Sequence, residues 1–201
     1  MAAQARRGQG PPSAQAARER ARHSEQLRGH RFLAGRGPRP SVTVVPAPLR
    51  FWQFDPPVRS AVLFTIAVVA IWLGVFGWLD GAAGMRAEAP LALGLGLAVL
   101  AANVGRLTVS DHAVSTDALA TRTPPSRIVP LVLIREVRLG VPPADWPTPS
   151  HRGGWLPGRT RVAVRHLADD GLTERTVTHW VRDPQAFADA LGRPLEAPSR
   201  G

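Results

Sequence analysis

Residues 164–191 read VRHLADDGLTERTVTHWVRDPQAFADAL. His166, Asp169, Asp170, Glu174, His179, Asp183 and Asp189 all fall within these 28 residues. Such side chains can move protons or ligate a metal, provided they converge on one point. The local pattern separates them instead. RVAVRH (161–166) alternates as a strand, ADDG (168–171) is a turn signal, and LTERTVTHWV (172–181) reads as the antiparallel partner. Asp183 then precedes Pro184, an N-cap followed by the residue best suited to a first helical turn. Asp169 and Asp170 thus belong to the turn and Asp183 to the cap. Asp189 belongs to the polar face of a helix whose apolar face carries Phe187, Ala188 and Leu191. Period-2 alternation groups Val177, His179 and Val181 on one face, with Thr176, Thr178 and Trp180 on the other. His166 shares the face of Val162 and Val164. HExxH, GxSxG and a phosphate-cradling glycine loop are all missing. The expectation is a structural role for these groups: no catalytic residue, no metal ligand and no cofactor.

The elements that hold this region are set by the rest of the chain. All 25 basic residues are Arg, cysteine is absent, and the net charge is +10. Without cysteine there are no disulfides, thiolate metal sites or thiol nucleophiles. The charge is uneven. Residues 1–60 hold eleven Arg against Glu19, Glu25 and Asp55, whereas residues 106–201 hold thirteen Arg against ten acids. Residues 1–49, rich in Ala, Arg, Gly, Gln and Pro, have few large apolar groups and read as a disordered Arg-rich arm. AQAARERARHSEQL (14–27) has helix propensity but would be marginal alone.

AVLFTIAVVAIWLGVFGWL (61–79) has no charge and only Thr65 as a polar group. As a helix it spans roughly 28 Å, close to the hydrocarbon thickness of a bilayer. A Gly/Ala-rich loop and a second apolar run, APLALGLGLAVLAANV (89–104), follow, with Pro90 suited to a first turn. The expectation is a transmembrane hairpin within 50–106. Gly94, Ala98 and Ala102, with Ala70 and Gly74, form stripes of small residues that would let two helices approach, or serve a homo-oligomer. Arg50 and Arg59 precede the hairpin and Arg106 and Arg122 follow it, while its loop has only Arg86. The positive-inside rule then places the protein in the inner (plasma) membrane with both termini cytoplasmic. Phe51, Trp52 and Phe54 fit the membrane interface.

From Leu107 the pattern becomes that of a small α+β domain. LTVSDHAVST reads as a hairpin, IREVRLG as a strand with Ile134, Val137 and Leu139 inward, and VPPADWPTPSHRGGWLPGRT (141–160) as a loop. Two membrane helices, these short strands and the final VRDPQAFADAL resemble actinobacterial two-helix membrane proteins with a bacterial pleckstrin-homology-like (PH-like) cytoplasmic domain. The resemblance, over residues 50–192, implies a mostly antiparallel β-domain with a C-terminal helix over 107–192 and a binding or scaffolding role; residues 193–201 read as a tail. The first hairpin offers Asp111, His112 and Asp117 where phosphoinositide readers carry basic residues.

The expected function is a membrane-anchored interaction module with no catalytic activity. Its partners would be the bilayer, a membrane or cytoplasmic protein, and anionic lipid. The candidate recognition loop holds Trp146, His151, Arg152, Trp155 and Arg159, aromatic and basic groups suited to an interface or a hot spot. Two alternatives differ in class. A membrane enzyme or transporter component would need ionisable groups within the spans, which have none. A nucleic-acid tether would act through the Arg-rich arm, yet no aromatic interleaves its arginines before Phe32.

Overall fold

Alternating apolar residues in two separate stretches of the chain build two sheets around one core. The computed structural model describes residues 12–30, 48–118 and 127–197. The first sheet contains β1 (Phe51–Asp55), β2 (Gly105–Val109), β3 (Ala113–Ala118) and β4 (Ile128–Pro130), antiparallel in that order. The second contains β5 (Ile134–Leu139), β6 (Ser150–Arg152), β7 (Thr160–Leu167), β8 (Glu174–Val181) and β9 (Leu195–Glu196) in the order β6-β8-β7-β5-β9. In it β7 is antiparallel to both β5 and β8, and the short β6 and β9 add parallel edges. Leu107, Val109 and Val114 from the first sheet meet Ile134, Val137, Val162, Val164 and Val181 from the second. The C-terminal helix (Pro184–Leu191) inserts Phe187 and Leu191 into the same core.

That helix is fixed by local chemistry. Asp183 accepts a hydrogen bond from the Ala186 amide at 2.9 Å, satisfying one free donor of the first turn. Gly192 ends the helix at φ 67°, a left-handed conformation that favours glycine.

Between β1 and β2 the chain makes a long helical excursion, Arg59–Ala102. Asp55 and Gly105 are direct partners across the two strands, so the excursion leaves the sheet and rejoins it side by side. At Gly81 the backbone departs from helical geometry, with φ 64° and ψ −156°. The helical residues on either side of Gly81 are in contact. Trp72 Nε1 donates to Glu88 Oε2 at 3.3 Å, and a Cβ on Gly96 would lie 2.9 Å from Val69 Cγ2.

Four features differ from the sequence-based expectation. First, residues 82–88 are helical rather than a loop, and Pro90 lies inside the helix rather than in its first turn. Second, the buried small residues are Ala92 and Gly96, with Gly96 facing Thr65 and Val69, whereas a Cβ at Gly94 or Gly74 would meet nothing within 4 Å. The contact face is thus set two positions away from the Gly94–Ala98–Ala102 stripe, because the close approach is at Thr65 and Val69 rather than at Ala70 and Gly74. Third, Phe51, Trp52 and Phe54 lie on β1 and join the β-domain, with the Phe51 ring 5.4 Å from that of Phe187. The β-domain therefore starts before the helical excursion and is interrupted by it.

The fourth difference is in the N-terminal arm, where residues Pro12–Gly29 form an 18-residue helix. Residues 1–11 and 31–47 of the expected disordered arm lie outside the described residues, as do Arg122 and residues 198–201 of the expected tail at 193–201, whose Leu195–Glu196 pair with β5. The helix is held by polar contacts that local propensity does not reveal. His23 is fully buried, with Nδ1 2.7 Å from Ser110 Oγ and Nε2 2.9 Å from Ser115 Oγ. Glu19 pairs with His112 at 2.7 Å, and Arg20 pairs with Asp169 and donates to the Ile128 carbonyl at 3.0 Å. Ala16 packs with Leu133 and Leu167.

Candidate functional site

The acidic and histidine groups of 164–191 occupy separate places. Asp170 accepts hydrogen bonds from the amides of Leu172 and Thr173 and from the Thr173 hydroxyl. These bonds, the hydroxyl's first, push its carboxyl down to about 2. Asp169 pairs with Arg20, and Asp189 accepts from Gln185 Nε2 at 2.9 Å. His166 is buried, and its Nδ1 donates to the Leu167 carbonyl at 2.9 Å. His179 is buried, its ring meeting that of Phe187 edge to face at 5.9 Å, and burial pushes its pKa down to about 3. It is therefore a neutral core residue at ordinary pH. Among the described residues no group of three or more His, Asp or Glu could hold a metal ion.

The loop that connects β5 to β7 behaves differently from a free tip. Trp146 is buried, its ring covered by the guanidinium groups of Arg138 at 5.5 Å and Arg165 at 5.2 Å. Those arginines are held in turn by Glu136, at 2.6 Å from each. His151 Nδ1 shares a 2.6 Å hydrogen bond with the Thr178 hydroxyl. Arg152 donates to the Arg127 carbonyl at 2.9 Å. Four of the five candidate residues are thus engaged within the domain, and Trp155 is left 49% exposed beside Leu156 at 40%.

Arg159 closes the loop and points to a group that sequence reading treated only as a charge. It donates to Asp55 Oδ1 at 2.5 Å and to the Phe54 carbonyl. Gln53 Nε2 donates both to Asp55 Oδ1 and to the Trp180 carbonyl, each at 2.7 Å. Asp55 is 1% exposed, and burial raises its carboxyl pKa against the opposing pull of Gln53 and Arg159. Gly153, at φ 75°, passes so close that a Cβ would lie 2.6 Å from Asp55 Oδ2. Next to it the Gly154 amide donates to the Pro56 carbonyl at 3.2 Å, and a Cβ there would lie 2.6 Å from the Pro57 carbonyl. Two glycines therefore seat the loop against residues 55–57, immediately before the helical excursion begins at Arg59.

The arrangement can position and orient the loop against the strand that leads into the helix. Its exposed chemistry is apolar. Leu63, Phe64, Ile71, Trp78 and Leu97 are each more than half exposed, and the most apolar stretch of Arg59–Ala102 is only 6% buried. This helical run is long and apolar enough to cross a membrane. Comparison with family models, with curated proteins and with solved structures returns no match.

Proposed function

We propose that this chain is a membrane-anchored interaction module whose PH-like β-domain is held at the cytoplasmic face of the inner membrane by a two-pass helical hairpin. The observation that carries the reading is the placement of the apolar excursion. It starts and finishes beside the paired Asp55 and Gly105, and its most apolar stretch is only 6% buried. Lipid would remove that apolar surface from water, at about 25 cal/mol per Å². The break at Gly81 and the Gly96–Val69 approach support two antiparallel passes. Two stacked sheets closed by a C-terminal helix support the PH-like reading. The arginines on both sides of the hairpin favour cytoplasmic termini. The domain presents a protein partner with a rigid surface next to the bilayer, and it works by binding rather than by catalysis.

The test removes the excursion. Because Asp55 and Gly105 are already partners, a short turn joining them should convert the chain into a soluble, folded β-domain, while the full chain stays in the membrane fraction after alkaline carbonate. A full chain released by carbonate would contradict the reading.

A further inference from the structure

Residues 153–158 lie at the end of the β-domain from which the helical excursion departs. Gly153 abuts Asp55, and Gly154 is hydrogen-bonded to Pro56 and enclosed by the Pro56 and Pro57 carbonyls. Arg159 then locks the loop's far side to Asp55 and Phe54. Between these fixed points the chain projects Trp155 and Leu156, exposed by 49% and 40%, and Val58 beside the helix start is 42% exposed. Gly154 meets backbone carbonyls and Gly153 meets the Asp55 carboxylate that Gln53 and Arg159 hold in place, so the tip is seated beside the helix at two fixed points.

The opposite end of the domain gives the contrast. The Trp180 carbonyl accepts from Gln53, which ties the Val181 end of β8 to the helix-bearing end. β8 then runs its eight residues back to Glu174, so the β7–β8 turn with Leu172 lies roughly 24 Å away. Leu172 is 84% exposed but has no membrane helix beside it.

We propose that Trp155 and Leu156 are an interfacial anchor, inserted at the boundary between lipid headgroups and acyl chains beside the first membrane pass. This rests on the membrane reading above. An indole is suited to that boundary, where one part of the ring meets apolar chains and its N–H meets water or headgroups. Leu156 supplies apolar area, and Arg59, exposed at the start of the helix, faces the same headgroup layer. Arg159 takes no part, because Asp55 already neutralises it. With the helices at one point and the loop at a second, the domain cannot swivel freely on its anchor. The Asp55–Arg159 pair is what transmits the loop's position to the strand that precedes the helix.

Absence of cysteine makes a direct test simple. Single cysteines at Trp155, Leu156, Ile71 and Leu172 are nitroxide-labelled in the full chain and reconstituted in phosphatidylethanolamine–phosphatidylglycerol vesicles. Collisions with oxygen and with a water-soluble nickel chelate are then compared. The proposal expects strong oxygen preference at Ile71, nickel preference at Leu172, and at Trp155 and Leu156 a severalfold loss of nickel accessibility relative to Leu172. If both loop labels match Leu172 while Ile71 is deep, the loop stays in water, open to a soluble partner, and the anchor is overturned. If Ile71 itself matches Leu172, the membrane reading fails and the anchor with it. Two adjacent loop labels keep the result independent of any local disturbance caused by one of them.

Discussion

Asp55 and Arg159, 104 positions apart, meet at 2.5 Å in a place where Asp55 is 1% exposed. The pair joins the strand that leads into the helical excursion to the loop that lies against its base. Removing one partner of a buried ion pair leaves the other charge uncompensated, which costs about 3–5 kcal/mol. Arg159→Ala should destabilise the β-domain by that order. Adding Asp55→Asn should recover part of the loss, as read by melting of the single and double variants. The penalty also depends on pH. Without Arg159 the Asp55 carboxyl rises further above its ordinary value, so the native state holds its proton over a wider range. Stability of Arg159→Ala should therefore fall as pH rises from about 4 toward 7. A loss that is independent of pH would contradict a buried, uncompensated carboxylate.

His179 gives the opposite slope. Its folded pKa is lowered to about 3 from an ordinary 6.5, so below 6.5 the unfolded chain binds a proton that the native state refuses. Its contribution is complete above pH 6.5 and declines toward pH 3. One such group costs about 2 kcal/mol between pH 7 and pH 5. His179→Leu should flatten the acid side of the stability profile by that amount. His23, lowered to about 4 by burial, adds a second proton of the same sign. An unchanged profile in His179→Leu would place the histidine in solvent.

The two tryptophans of the β5–β7 loop should separate cleanly. Trp146 is buried between two arginines, and truncating a buried Trp costs about 3–5 kcal/mol. Trp155 is half exposed, and Trp155→Ala should stay within about 0.5 kcal/mol. Melting of the two single variants checks both. Equal losses would show that the loop packs as one unit.

Glycine spacing tests the helical contact. Gly96→Val would drive side-chain atoms into Val69, where even a Cβ comes within 2.9 Å, whereas Gly94→Val meets open space. In detergent, Gly96→Val should lower the melting temperature and raise labelling of a cysteine at Thr65, while Gly94→Val should do neither. The reverse order would mean that the stripe including Gly94 forms the contact.

Local signals in the sequence were sufficient for the parts of the fold that are local. The β7–β8 hairpin follows from alternation around ADDG, and the C-terminal helix follows from Asp183-Pro184 before an apolar stripe. The β2–β3 hairpin likewise turns at Ser110–His112. What escaped depends on distant partners. Phe51–Asp55 is only five residues long, and its pairing with β2 spans the whole helical excursion. The N-terminal helix has little apolar surface, and its seat rests on His23 meeting Ser110 and Ser115, 87 and 92 positions away. Asp55 reads as one more flanking charge because its partner Arg159 stands 104 positions away, just before β7. The Gly/Ala-rich stretch after Asp80 suggests a loop, yet a single residue, Gly81, makes the break.

Topology is the most direct test of a module anchored by two passes with its β-domain inside the cell. Single cysteines at Ala83, next to the Gly81 break, and at Leu172, on the β7–β8 turn, are introduced in intact cells and challenged with a membrane-impermeant thiol reagent. The account predicts labelling at Ala83 and protection at Leu172 until the membrane is opened. Labelling at Leu172 with protection at Ala83 would contradict it.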